Sequence, residues 1–208
     1  NVDAGSKGIS LFLVEADTPG FTKGKNLEKL GLKAQDTSEL FFQDVRIPKD
    51  NLLGEEGRGF IYLMQDLPQE RLSVAVSANG MCQAVMQTTI DYVKERKAFG
   101  TEIMNHQAIQ FKLADMATEI EAARMLCLKA AWLKDQHLNY DIASAQAKLF
   151  ASTVAMKVTT EAVQVHGGYG YVKEYHVERM MRDAKITQIY EGTSEVQRIV
   201  ISRDLIRG

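Results

Sequence analysis

The 208 residues are 45% apolar and 25% charged, enough to bury a core and too apolar for a disordered chain. Lys and Arg number 25 against 27 Asp and Glu, a formal net charge of −2, so the basic excess of a general nucleic-acid binder is missing. No apolar run reaches the ~18 residues of a membrane span, and Cys82 and Cys127 have neither disulfide-framework nor metal-ligand spacing, which fits a reducing compartment.

The chain opens at Asn1 with no signal peptide and soon reaches strand-like sequence, so it reads as a piece of something longer. Residues 1–54 read as β. The run from Ile9 to Val14 predicts a buried strand, Pro19-Gly20 a turn, and Leu40-Phe41-Phe42 with Val45 and Ile47 another strand, stopped by Pro48. This is too little for a closed sheet, and it is expected to be the end of a β domain with exposed edges. Residues 55–208 read as α. No proline follows Pro68, and Ala, Leu, Met, Glu, Lys and Gln are plentiful. A short helix is predicted from Glu56 to about Asp66, then a long one with Pro68 in its first turn, running to about Glu95. Ile109, Leu113, Met116, Ile120 and Ala123 form one helical stripe on a third helix ending near Leu133. A fourth, from about Asp141 to Val165, carries Ala145, Leu149, Ser152 and Met156 on one face and is stopped by Gly167-Gly168. Helices of this length with short joints predict a mainly α fold: a C-terminal four-helix bundle (55–208) preceded by a partial β domain (1–54).

Four segments carry candidate chemistry. Arg96-Lys97-Ala98-Phe99-Gly100 closes the second helix; it suits a basic helix end, and equally an anion site with a ring face beside it. Gln164-Val165-His166-Gly167-Gly168-Tyr169-Gly170-Tyr171 has three glycines in four positions, a helix stop that also bares backbone N–H groups to a ligand. It is not the dinucleotide-binding glycine fingerprint, since no strand precedes it. His166 has no second ligand at metal-site spacing, and no metal is expected. Tyr190 to Arg198 opens the last helix, with Ser194 and Gln197 spaced as a capping box. Glu191, just before it and beside Gly192, suits either an answer to the helix dipole or a carboxylate base whose own N–H meets an oxyanion. Glu70-Arg71 follows Leu67-Pro68-Gln69 and reads first as acid placement in a first helical turn. Met64, Met81, Met86, Met104 and Met116 read as core residues, with an acyl tunnel as the alternative.

In order, DVRIP, NLLGEEGRGF, LPQERL, ERKAFG, HQAIQFKLADM, QVHGGYGY and MRDAKITQIYEGTSEVQR resemble the acyl-CoA dehydrogenase family over essentially the whole chain. Members are nearly twice this long. The resemblance implies the end of the middle β domain plus the C-terminal bundle, and a piece inactive by itself. It implies FAD-dependent α,β-dehydrogenation of an acyl-CoA thioester to the trans-2-enoyl-CoA, with an electron-transferring flavoprotein as acceptor. Glu191 matches the usual catalytic base and Gly192 a thioester contact. Arg96, Phe99, Gln107 and the stretch Gln164, Val165, His166, Gly167 and Gly168 match contacts to the FAD of a neighbouring subunit. Thr193 and Glu195 match contacts to the subunit's own FAD, and Arg71 a residue beside the substrate. Shared flavin sites imply a homo-oligomer, dimer or tetramer. The family's long- and branched-chain members place the base at the position of Glu70, so Glu70 is the alternative base here. An oxidase-type flavoenzyme and a non-catalytic helical assembly module are the alternative functions. Bacterial cytoplasm and mitochondrial matrix are both open as settings.

Overall fold

In the computed structural model, residues 1–207 are described, and they divide into two units, Asn1–Leu67 and Pro68 onward. The first unit begins with a 3₁₀ segment, Val2–Gly8, which the reading of residues 1–54 as β did not anticipate. Its strands are β1 (Leu11–Phe12), β2 (Phe21–Asn26), β3 (Ser38–Phe42) and β4 (Leu52–Leu53). β1 pairs antiparallel with β4, Leu11 opposite Leu53, and β2 with β3, Phe21 opposite Phe42, with an irregularity between Lys23 and Asn26. The run Ile9–Val14 thus yields a two-residue strand with Phe12 48% exposed, not a buried one. Pairs of strands have no second layer to bury a face against. Leu40, Phe41 and Phe42 are each about half exposed, as an incomplete sheet predicts.

Helix α1 runs unbroken from Gly59 to Glu95, so the two helices expected around Pro68 are one. Pro68 lacks the N–H that would bond to the Met64 carbonyl. The helix carries on because burial sets in there: Phe60, Ile61, Leu63 and Met64 are exposed, while Leu72, Val74, Ala75, Ala78, Cys82 and Val85 are buried. After α1 come a tight hairpin, β5 (Lys97–Ala98) and β6 (Thr101–Glu102), then α2 (Gln107–Asp135), α3 (Asp141–His166), α4 (Val177–Ala184) and α5 (Ser194–Arg207). The short α4 was not anticipated.

α3 is the axis of this unit. It packs against α2, α4 and α5, and Ala147, Ala151, Val154, Ala155, Val158 and Ala162 join residues of α1, α2 and α4 in the main core. Its burial is not confined to the predicted face, because small residues occur on nearly every side and let neighbouring backbones come close. The α2 stripe behaves as expected: Met116, Ile120 and Ala123 enter the core, and Ile109 and Leu113 pack in a smaller cluster with Val93, Ile103 and Val165. Ion pairs Lys112–Glu161 and Lys157–Glu119 tie α2 to α3. Of the methionines read as core, Met116 is buried, Met81 and Met86 pack against the core, and Met64 and Met104 are about 40% exposed.

Candidate active site around Glu191

The loop 190–193 joins a 3₁₀ turn, Lys185–Gln188, to α5. Glu191 has φ +52° and Gly192 φ +86°. Glycine adopts that conformation freely, but a glutamate in it is strained by roughly 1–2 kcal/mol, so the surroundings must hold it. Gln197, fully buried on the first turn of α5, donates from Nε2 to the carbonyls of Glu191 (3.2 Å) and Gly192 (2.9 Å). Lys148, fully buried on α3, donates from Nζ to the same Gly192 carbonyl at 2.5 Å. A Cβ on Gly192 would come within 2.7 Å of the Gln197 amide nitrogen, so glycine is required there twice over. Among the described residues no hydrogen bond engages the Glu191 N–H.

The capping box expected at Ser194 is not formed. Thr193 caps α5 instead, its hydroxyl accepting from the Val196 N–H at 3.3 Å, and Gln197 turns back to the loop carbonyls.

Charges converge on this loop. Burial pushes the Lys148 ammonium down to about 8, opposed by attraction to Glu191 and Glu195 and assisted by repulsion from Arg71. Arg71, on α1, is 8% exposed and its Nε has no hydrogen-bond partner. Burial lowers its pKa, while Asp141 and Glu70 raise it. A buried donor without a partner is costly and marks a place where another group belongs. Glu70 is exposed on α1, one residue before Arg71, whereas Glu191 is half-buried. The structure thus brings Glu191, Gly192, Arg71 and Lys148 to one place.

A second cluster forms where α1 ends near the end of α3. An open groove of about 500 Å³ is lined by Tyr92, Arg96, Ala98, Val165, His166, Gly167 and Gly168, among others. Two segments far apart in sequence therefore meet here. The Arg96 guanidinium lies over the Tyr169 ring, 5.1 Å from its centroid. His166 is buried, its ring stacked on Tyr92 at 4.1 Å and its Nδ1 2.8 Å from the Ala162 carbonyl, and burial lowers its pKa. It is a packed side chain, and its neighbour Gly167 takes φ +61°. A Cβ on Gly167 or Gly168 would meet nothing within 4 Å, so bare backbone faces the opening. Phe99, at φ +53°, is 97% exposed and touches His106 edge-on at 6.0 Å. Gln107 is exposed at the start of α2, and Gln164 is exposed on the last turn of α3. Neither lines the groove.

A third cluster holds Thr193 and Glu195. They line a polar recess of about 320 Å³ with Lys185, Gln188 and Arg198. Glu195 is held below the usual carboxylate range by its own backbone N–H and the Thr193 hydroxyl. Among the described residues no group of three or more His, Cys, Asp or Glu could hold a metal, and no helix is long and apolar enough to cross a membrane.

Sequence reasoning missed Lys148 as a site residue and gave Gln197 the wrong partner. The signal for Lys148 was one cation among Ala145, Ala147, Ala151 and Ser152, where the helix offers nothing else that is charged.

Comparison with known proteins gives these arrangements a context. The family model described as "Acyl-CoA dehydrogenase, C-terminal domain" matches residues 57–206. The short-chain specific acyl-CoA dehydrogenase of Clostridium acetobutylicum is 50% identical over 203 residues, covering 98% of this chain and 54% of that protein. Butyryl-CoA dehydrogenase from Megasphaera elsdenii superposes with a TM-score of 0.94 at 50% identity, over 98% of this chain and 53% of the other. A structure described as "Electron transferring flavoprotein of Acidaminococcus fermentans: Towards a mechanism of flavin-based electron bifurcation" superposes at 0.96 with 51% identity, over 100% of this chain and 55% of the other. The chain spans about half the length of these relatives. It belongs to the acyl-CoA dehydrogenase family, and its residues 57–206 are that family's C-terminal domain.

Proposed function

We propose that this chain forms the catalytic-base half of an FAD-dependent dehydrogenase that converts a short-chain acyl-CoA to its trans-2-enoyl-CoA, with an electron-transferring flavoprotein as acceptor. The short-chain assignment rests on the names of the relatives, and the acceptor on the bifurcation structure. The observation that carries the reading is Glu191 itself: a carboxylate in a strained left-handed turn, its own carbonyl and that of Gly192 gripped by two buried donors, one of which, Lys148, also feels the charge of the buried Arg71 with its unpartnered Nε.

Glu191 removes the α-proton of the thioester. That proton is weakly acidic, so negative charge building on the thioester oxygen needs a donor already in place. The free N–H of Glu191 supplies one, and because base and donor belong to one residue, their relative placement is built in. Arg71 adds a positive charge in a water-poor setting, where it counts for more than in bulk solvent. Bound FAD would accept the hydride leaving the β-carbon. The residues present fit such a group. Arg96, with its planar fork, suits a pyrophosphate, the bare backbone at Gly167 and Gly168 allows close approach, and exposed Phe99 offers a ring face. By the resemblance these residues and Gln107 meet the flavin of a second copy, while Thr193 and Glu195 meet the chain's own, which makes the working enzyme a homo-oligomer. Glu70, exposed on α1, is the weaker candidate for the base.

The test is turnover of butyryl-CoA by the flavin-loaded enzyme with a dye as acceptor. We expect turnover in the parent enzyme and, for Glu191→Gln, a loss of ~10³-fold or more with flavin content unchanged. No turnover of any acyl-CoA by a flavin-loaded parent enzyme contradicts the assignment.

A further inference from the structure

Two buried polar side chains to which the family resemblance gave no role meet the backbone of the proposed base. Lys148 and Gln197 are both 0% exposed, reach from different helices, α3 and α5, and share one acceptor, the Gly192 carbonyl. Gln197 also holds the Glu191 carbonyl. Folding gains little from this arrangement. A buried ammonium loses its hydration, and an apolar side chain of similar size there is often neutral or stabilising. Gln197 would still satisfy the Gly192 carbonyl without Lys148. Gln197 also leaves its own Oε1 buried without a partner. The chain therefore carries two costly buried polar groups whose shared product is the conformation of residues 191 and 192.

We propose that Lys148 and Gln197 are positioning residues: by clamping the carbonyls of Glu191 and Gly192 they hold Glu191 in its left-handed turn and so aim its carboxylate and its N–H at one thioester. The inference rests on Glu191 being the base. Lys148 acts through the backbone and through its charge. The charged groups that face it are Glu191 and Glu195 from the loop and α5, and Arg71 from α1, itself flanked by Glu70 and Asp141. Of these, Glu191 is the group the reaction uses as its base. Released from the clamp, Glu191 relaxes toward ordinary backbone angles, and its carboxylate swings off line. Small displacements of this kind cost on the order of 10²-fold in rate.

The experiment compares Lys148→Met, Gln197→Met and Glu191→Gln in the flavin-loaded enzyme with butyryl-CoA. It reads the limiting rate of flavin bleaching, the half-saturating substrate concentration, flavin content and the thermal midpoint. We expect Lys148→Met to keep its flavin and a thermal midpoint at or above the parent's, while its limiting rate falls ~10²-fold. Half-saturation should stay within about threefold, the pattern of a group needed in the transition state more than in binding. Gln197→Met should lose rate similarly. If Glu191→Gln is inactive while both clamp variants keep the parent rate, the clamp is overturned and the base assignment survives. If Glu191→Gln keeps the parent rate, the base assignment falls and the clamp with it. Rate losses that merely follow lowered thermal midpoints in both variants give these residues a structural role and overturn the inference.

Discussion

A buried lysine has a recognisable thermodynamic signature. Lys148 titrates near 10.5 unfolded and about 8 folded, a difference on the order of 3 kcal/mol against the charged folded form. Between those two values the unfolded chain binds more protons. Stability from this group therefore rises as pH climbs from about 8 toward 10.5, and the full penalty applies below about 8. Lys148→Met should be the more stable protein at pH 7, with its advantage shrinking toward pH 10; unfolding curves at several pH values check this. Other residues at this scale differ in how readable they were. Glu191, Arg96 and the Gly167-Gly168 pair announce themselves through residue type and local context. Lys148 does not, because a lysine on a helix ordinarily faces solvent, and its burial follows from α3 being enclosed on several sides. Gln197 misled for a related reason: its spacing from Ser194 suits a capping box, but the loop carbonyls, unsatisfied and close, compete more effectively for the amide.

At the scale of elements, α3 is the part that holds the site together. It carries Lys148 to the base loop, and its last turn brings Gly167 and Gly168 to Arg96. The helix works as an axis because its contacts are made by alanines with no room to spare. Ala155→Leu, at a position with 0% exposure, should cost about 1–3 kcal/mol through overpacking, seen as a lower denaturant midpoint. The periodic stripe on α2 was legible because α2 has a core side and a solvent side. α3 lacks that contrast, so its pattern gave its existence and bounds but not its centrality. The two helices read around Pro68 merge because proline weighs heavily in local reasoning, whereas continuous packing of the following turns outweighs one missing hydrogen bond. The β strands were least legible: Ile9–Val14 has the composition of a buried strand, and burial needs neighbours that residues 1–67 do not contain.

At the scale of the whole molecule, the chain presents three separate groupings: the base with Arg71, the open groove beside Arg96, and the recess around Thr193. No single local rule connects them. Their order along the chain, read as a resemblance, supplied one account of all three, and in the structure Arg96 meets Val165 to Gly168, while Phe99, Gln107 and Gln164 lie outside the groove. The central claim is that Glu191, and not Glu70, takes the proton. The most direct measurement is the rate at which butyryl-CoA bleaches the flavin of the loaded enzyme in a single turnover, for Glu191→Gln and Glu70→Gln side by side. The account predicts a fall of ~10³-fold or more for Glu191→Gln and a change within about threefold for Glu70→Gln. Bleaching abolished by Glu70→Gln and retained by Glu191→Gln would contradict it.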